Sequence, residues 1–152
     1  MQLDSVLLAV GPGDADRRDD LAAAVLEVAT PADATVTLAH VFTQEEYEEV
    51  IDRLEFDDDA EIEPDSVAER HATIRDIQSE FDEYGLEYDI RGAVGDHGDT
   101  IVSLAEEVDA DRVVVGGRRR SPTGKAVFGS TAQEVLLSAP CPVTFVRSDD
   151  SF

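Results

Sequence analysis

Residues 6–10 read Val-Leu-Leu-Ala-Val, an unbroken apolar run near the start of a chain of 152 residues. Ala34–Val41 and Val113–Val115 contain similar runs. A continuous apolar run of this length is typical of a strand buried on both faces, as in a parallel sheet. Residues 87–91 alternate between apolar and polar side chains instead, which predicts an edge strand with one wet face. In all, the sequence predicts five strands: Leu3–Val10, Ala34–Val41, Glu87–Ala93, Arg112–Val115 and Val143–Arg147.

Helical patterns separate these strands, with apolar residues recurring every three to four positions. The order βαβαβαβαβ predicts an α/β fold: a single domain over residues 1–152, with a parallel sheet, helices on both faces and right-handed crossovers. The predicted helices are Asp14–Ala29, Pro64–Tyr84, Asp99–Val108 and Ser130–Ser138.

The segment between Glu45 and Glu69 carries 13 acidic residues and one base, Arg53, with Asp57-Asp58-Asp59 at its centre. We interpret it as a solvated excursion between the second strand and the following helix. A cation site is the alternative, although the acids do not follow the spacing of a calcium-binding loop.

The formal net charge is −23, the acids are spread along the chain, and Lys125 is the only lysine. Such an acidic shell resembles that of proteins working in molar salt, where charge repulsion is screened within a few Å; an acidic partner-binding face is the alternative. The charge argues against nucleic acid and anionic membranes as partners.

The sequence shows no apolar run long enough to span a membrane and no basic start typical of a signal peptide. Cys141 is the only cysteine, so no intramolecular disulfide is possible, and we expect a cytoplasmic protein. We interpret Cys141 as a buried small apolar residue, with a reactive thiol as the alternative.

A candidate anion site lies in the stretch from Gly116 to Thr131. Four of the 12 basic residues fall between Arg118 and Lys125. Glycines at both ends let backbone amides approach a ligand, and Gly129-Ser130-Thr131 opens a helix whose first N–H groups favour anions. The alternative is a basic surface loop with an ordinary serine cap. The stretch is not a Walker A loop, because Arg119 and Ala126 stand where that motif needs Gly and Ser or Thr.

Short motifs occur along the chain at strand ends and turns: the end of the opening strand at Ala9-Val10, His40-Val41, Gly95-Asp96, Val113-Val114-Val115-Gly116 and the closing Ala139-Pro140-Cys141-Pro142-Val143. In these motifs the chain resembles the universal stress protein family over nearly its whole length. Gly116 and Gly129-Ser130 match the first and last positions of the glycine motif that ATP-binding members carry. Arg119 replaces its middle glycine, and Gly11 replaces the acid that holds the ribose in those members.

The resemblance implies a Rossmann-like fold of the adenine nucleotide alpha hydrolase type, with strand order 3-2-1-4-5. From the resemblance together with the acidic composition, we expect a haloarchaeal member of the family. The resemblance also implies that Ala9, Val10 and Val41 line the adenine side, while a second group faces ribose and phosphates. Lys125 either reaches a terminal phosphate or lies along the loop surface. The implied nucleotide-binding residues are Ala9, Val10, Gly11, Val41, Gly116, Arg118, Arg119, Lys125, Gly129, Ser130 and Thr131.

These observations favour a stress-responsive regulatory module that binds ATP or a related nucleotide, with or without Mg²⁺, and is not an enzyme. The alternatives are a scaffold of the same fold that binds no nucleotide and a slow ATPase, for which Asp96 is a candidate base. Family members commonly dimerise through the last strand, so we expect a homodimer through Val143–Arg147. His40, His71 and His97 show no metal-ligand spacing, and we predict no zinc site.

The charge composition predicts that the fold depends on salt. In dilute buffer the unscreened repulsion of a net charge of −23 opposes compaction, so the melting temperature rises steeply between dilute and molar KCl. Thermal unfolding followed by circular dichroism measures this rise. A melting temperature that is the same in dilute and molar KCl contradicts salt adaptation.

Overall fold

The computed structural model describes residues 2–54, 63–117 and 129–147. Within these ranges five parallel strands form one sheet in the order β3-β2-β1-β4-β5. This confirms the predicted fold class, the strand order and the edge position of the third strand. The strands are β1 (Ser5–Val10), β2 (Thr35–Phe42), β3 (Tyr88–Val94), β4 (Arg112–Gly117) and β5 (Val143–Arg147). The predicted site residues Arg118, Arg119 and Lys125, and the acidic Asp57-Asp58-Asp59, lie outside the described residues.

Six α-helices occur in the described residues, and two of the predicted helices need correction. The first begins with a 3₁₀ turn, Ala15–Arg17, and runs to Ala32, where Asp33 ends it with a left-handed φ of 55°. The predicted helix Pro64–Tyr84 is broken at His71, whose extended backbone separates two helices. The helices are α1 (Arg18–Ala32), α2 (Gln44–Leu54), α3 (Pro64–Arg70), α4 (Ala72–Glu83), α5 (His97–Glu107) and α6 (Ser130–Ser138).

Part of the acidic segment interpreted as a solvated excursion is helical. Helix α2 begins with a capping box, in which Thr43 Oγ1 accepts from the Glu46 N–H (3.2 Å) and Glu46 Oε1 accepts from the Thr43 N–H (2.9 Å). Its apolar residues Tyr47, Val50 and Ile51 pack against Phe42 at the end of β2. The acids therefore occupy the solvent-facing side of a docked helix.

The core has two layers because the sheet is covered on both faces. Alternate residues of β1 point to opposite sides: Val6, Leu8 and Val10 pack with α1 and α4, whereas Leu7 and Ala9 pack with α5 and α6. Cys141 packs beside the second layer, and burial raises the pKa of its thiol. The continuous apolar runs of the sequence thus mark strands buried on both faces, as expected.

Helix α3 covers the β3 side of the sheet. A side chain at Gly92 of β3 would overlap the Pro64 carbonyl group, so the glycine permits this close approach. The Gly92 N–H donates to Asp65 Oδ1 (2.7 Å), which fixes the start of α3 on the strand. The β3 edge is therefore partly shielded by a helix.

The side chain of His40 is buried in this region and carries an unusual stack. His40 is 2% exposed, and its ring lies 4.3 Å from that of Phe42 and 4.2 Å from that of His71 between centroids. Neither ring nitrogen has a hydrogen-bond partner among the described residues. Burial, followed by the nearby His71 and His97, lowers the pKa of His40 to about 3. Burial also lowers the pKa of His71.

The buried His40 predicts that stability falls in mild acid. The unfolded chain binds a proton at His40 below about pH 6.5, and the folded chain does not until about pH 3. The free energy of unfolding therefore falls by up to about 1.4 kcal/mol per pH unit as the pH drops through this window. Denaturant titrations in molar KCl at pH 7, 6 and 5 measure the slope.

The variant His40→Leu is the comparison, since it replaces the titrating ring with an apolar side chain of similar size. Its stability should fall less steeply between pH 6.5 and 5 than that of the natural chain. Equal slopes for the two proteins would show that the unfolded-state protonation of His40 does not govern this range.

Candidate functional site

A cavity of about 600 Å³ opens at the carboxyl ends of the central strands. The cavity lies where the strand order reverses. Strand β1 is flanked in the sheet by β2, the next strand in the chain, on one side and by β4 on the other. All the predicted site residues that the structure describes line this cavity: Ala9, Val10, Gly11, Val41, Gly116, Gly129, Ser130 and Thr131. The structure therefore brings together residues from β1, β2, β4 and α6 that lie far apart in the sequence.

One wall of the cavity is apolar. Ala9, Val41 and Val115 are buried residues from three strands, and Ile101 joins them from α5. Ala132 extends this wall along α6. The flat faces of a nucleobase can pack against an apolar surface of this kind.

Another part of the lining offers backbone amides. Gly129 precedes α6 in extended conformation (φ −66°, ψ 159°), and no side chain of the described residues caps the first turn. Among residues 2–54, 63–117 and 129–147, no atom lies within 4 Å of a Cβ atom built at Gly129. Uncapped N–H groups with partial positive charge suit an anion such as a phosphate. Gly117 and Gly129, which bracket residues 118–128 in the sequence, both line the cavity.

Sequence reasoning missed Asp14 and Arg17, which line the cavity beside the end of β1. The Asp14 carboxylate accepts from the Gly11 N–H (2.7 Å) and pairs with Arg17 Nη1. The Arg17 Nε is buried without a hydrogen-bond partner among the described residues. The available signal was the three-residue spacing of an acid and a base in a turn, which is too common on surfaces to indicate a site.

His97 also lines the cavity. Its Nε2 lies 2.7 Å from Glu46 Oε1, the same oxygen that accepts from the Thr43 N–H. The imidazole is therefore held by the capping group of α2.

The candidate base Asp96 has a structural task. Its carboxylate caps α5 by accepting from the Asp99 N–H at 3.4 Å. Asp96, Asp99 and Glu134 form an acidic group whose ligand atoms lie within 4.8 Å of one another, and none of the three lines the cavity. A hydrogen bond with Asp99, followed by burial and the charges of Asp99 and Asp96, raises the pKa of Glu134.

Among residues 2–54, 63–117 and 129–147, no helix has the length and apolar character needed to cross a membrane.

Comparison with known proteins gives a consistent match. The model of the universal stress protein family matches residues 3–147. A universal stress protein of Mycolicibacterium smegmatis is 34% identical over 79 residues, which are 51% of this chain and 61% of that protein. One from Methanothermobacter thermautotrophicus is 43% identical over 54 residues, 36% of each chain. The chain thus aligns with less than two thirds of the length of these curated relatives.

Solved structures share the fold over nearly the whole chain. A universal stress protein from Archaeoglobus fulgidus superposes with a TM-score of 0.59 at 27% identity, covering 95% of this chain and 98% of that one. Hypothetical protein MJ0577 gives a TM-score of 0.67 at 20% identity, covering 99% and 100%. A universal stress protein in complex with cAMP gives 0.64 at 19% identity, covering 98% and 100%.

Proposed function

Since the chain belongs to the universal stress protein family, we propose that it is a regulatory module that binds ATP or a related adenine nucleotide and responds to stress. The ligand occupies the cavity between the ends of β1 and β4 and the start of α6. The protein works in the cytoplasm of a salt-accumulating cell, where its net charge of −23 is screened.

The cavity itself is the observation that carries this proposal. Its lining combines apolar side chains with the first backbone amides of α6, which no side chain of the described residues caps, within about 600 Å³. A nucleotide has the same combination, with an apolar base at one end and phosphates at the other. The volume falls within the usual range of small-molecule sites, roughly 300–1,000 Å³.

The similar structure solved with cAMP supports an adenine nucleotide as the ligand class. In our proposal the phosphates face the amides of Ser130 and Thr131, where the partial charge of the helix is positive. The cations Arg118, Arg119 and Lys125 belong to the segment between Gly117 and Gly129, whose two ends line the cavity. Any Mg²⁺ enters with the nucleotide phosphates.

Binding, rather than turnover, is the function that these residues support. The described cavity lining offers Asp14 and His97 as groups able to move a proton, and both are already engaged, with Arg17 and Glu46 respectively. The slow ATPase alternative requires phosphate release from ATP that depends on Mg²⁺ and on an intact cavity.

We also propose that the protein is a homodimer formed through β5. Strand β5 lies at the edge of the sheet, and only β4 pairs with it among the described strands. An apolar strand at a sheet edge invites pairing with a second chain. Leu137 on the preceding helix is 78% exposed and offers further apolar surface.

The dimer proposal predicts a particle of twice the chain mass of 16.5 kDa at micromolar concentration in molar KCl. Sedimentation velocity in the absence and presence of ATP measures the mass and any dependence on ligand. A single species of 16.5 kDa under both conditions would rule out the dimer.

The nucleotide proposal predicts that Gly129→Val abolishes binding and leaves the fold intact. No atom of the described residues lies within 4 Å of the new Cβ, and in our proposal the branched side chain takes the place of the phosphates. In a first assay, protein purified in molar KCl is denatured and the supernatant is assayed for released nucleotide. In a second assay, a fresh sample of the folded protein is titrated with ATP by calorimetry. We expect at least a hundredfold weaker binding for the variant, since it loses both the space and the amide contacts.

The matched control is Gln133→Val, which places the same side chain on an exposed position of the same helix, outside the cavity. It should bind ATP as the natural chain does. Binding that survives Gly129→Val would show that the ligand site is elsewhere. Absence of nucleotide from the natural chain in both assays would favour the scaffold alternative.

A further inference from the structure

We propose that Asp14 is the group that recognises the sugar hydroxyls of the ligand and that Arg17 positions it. This inference rests on the proposed nucleotide function, and it assigns the sugar contact to a residue three positions beyond Gly11. The stretch Gly11–Arg17 is then a sugar-binding turn at the end of β1.

The turn places the Asp14 carboxylate at the point where the chain leaves the sheet. The Asp14 N–H donates to the Gly11 carbonyl oxygen (3.1 Å), and the Gly11 N–H donates to Asp14 Oδ2 (2.7 Å). These two bonds close the loop on itself and fold the side chain back towards β1. An acid at position 14 therefore reaches the space beside position 11.

The carboxylate is buried in a chain that otherwise keeps its acids in water. The Asp14 side chain is 8% exposed and that of Arg17 is 11% exposed, and the two are paired. Among the described residues this is the most buried of the ion pairs between an acid and an arginine. Burying a charge is costly unless it is compensated, and a molecule with a net charge of −23 has abundant exposed acids to use instead.

The pair lies directly on the end of β4, across the cavity floor. A Cβ atom at Gly116 would stand 2.6 Å from Arg17 Cδ and 2.7 Å from Asp14 Oδ1. The side chains of Asp14 and Arg17 therefore occupy the space that a side chain at position 116 would need. This space lies at the ends of β1 and β4, where the sheet order reverses. Arg17 Nη1 pairs with Asp14 Oδ1, while the Gly11 N–H donates to Asp14 Oδ2.

The chemistry of a carboxylate decides what it contacts in a nucleotide. An ionised carboxylate only accepts hydrogen bonds, and two of its roughly four lone-pair positions remain after the Gly11 N–H and Arg17 are counted. Phosphate oxygens also only accept, and they are repelled. The donors left in an adenine nucleotide are the sugar hydroxyls and the exocyclic amine of the base. The apolar wall formed by Ala9, Val41 and Val115 suits the base, which leaves the hydroxyls for Asp14.

The test compares ATP with 2′-deoxy-ATP and 3′-deoxy-ATP by calorimetry in molar KCl. In the natural chain, loss of the hydroxyl that donates to Asp14 should weaken binding about tenfold to a hundredfold, the usual range for a hydrogen bond to a charged group. In Asp14→Ala the same comparison should give a ratio close to one. Asp14→Asn keeps an acceptor for the Gly11 N–H, and should show a reduced ratio with the turn intact.

Arg17 is tested as a positioning residue through the same ratio. Arg17→Gln leaves the carboxylate without its cation and should lower the preference for the hydroxylated sugar, whereas Arg17→Lys should restore part of it. A merely structural role would weaken all three nucleotides equally. Asp16→Asn, an exposed acid in the same turn, is the matched control and should leave the ratio unchanged.

Failure of this inference is distinguishable from failure of the proposed function. If the natural chain binds none of the three nucleotides, nucleotide binding itself is wrong. If it binds ATP and the ratio is the same in the natural chain, Asp14→Asn and Asp14→Ala, the sugar contact belongs to another residue. In a third outcome, Asp14→Ala leaves the hydroxyl ratio unchanged but loses the preference for ATP over inosine triphosphate. That result would place the carboxylate at the base amine instead.

Discussion

The burial of β1 on both faces is the constraint on which the rest of the molecule depends. Its side chains reach helices on opposite sides of the sheet, and its backbone pairs with β2 on one edge and β4 on the other. A strand in this position cannot be shifted by one residue without exchanging two complete core layers. The cavity follows from the same arrangement, since the chain leaves β1 and β4 towards opposite faces and a crevice opens between them.

The ion pairs among the described residues are of two kinds, exposed and buried. The exposed pairs, such as Arg18 with Asp76 and Arg91 with Glu107, join side chains that are about half exposed and contribute little in molar salt. The Asp14–Arg17 pair is shielded from that screening by its burial. The acidic surface and the charge pair beside the cavity are therefore independent features, and the net charge alone does not reveal the second.

The sequence predicts the sheet well, because two-sided burial demands continuous apolar runs and an edge strand permits alternation. It predicts the helical segment 64–84 as one helix because the apolar spacing from Val67 to Phe81 continues across His71, and the break depends on a backbone turn that has no pattern of its own. The predicted cavity residues that the structure describes were identified from the glycine spacing and the family resemblance. Asp14 and Arg17 were not, since their importance arises from folding against Gly116 on a distant strand.

One oxygen atom of Glu46 serves two structures at once, the N-terminal cap of α2 and the imidazole of His97 in the cavity wall. The helix and the wall are consequently not separable modules. Anyone who grafts a different helix after β2, or trims this one to shorten the acidic segment, also releases a side chain that lines the cavity. The boundary for such engineering lies after Glu46, within the first turn of α2, because Glu46 supports the cavity wall through His97.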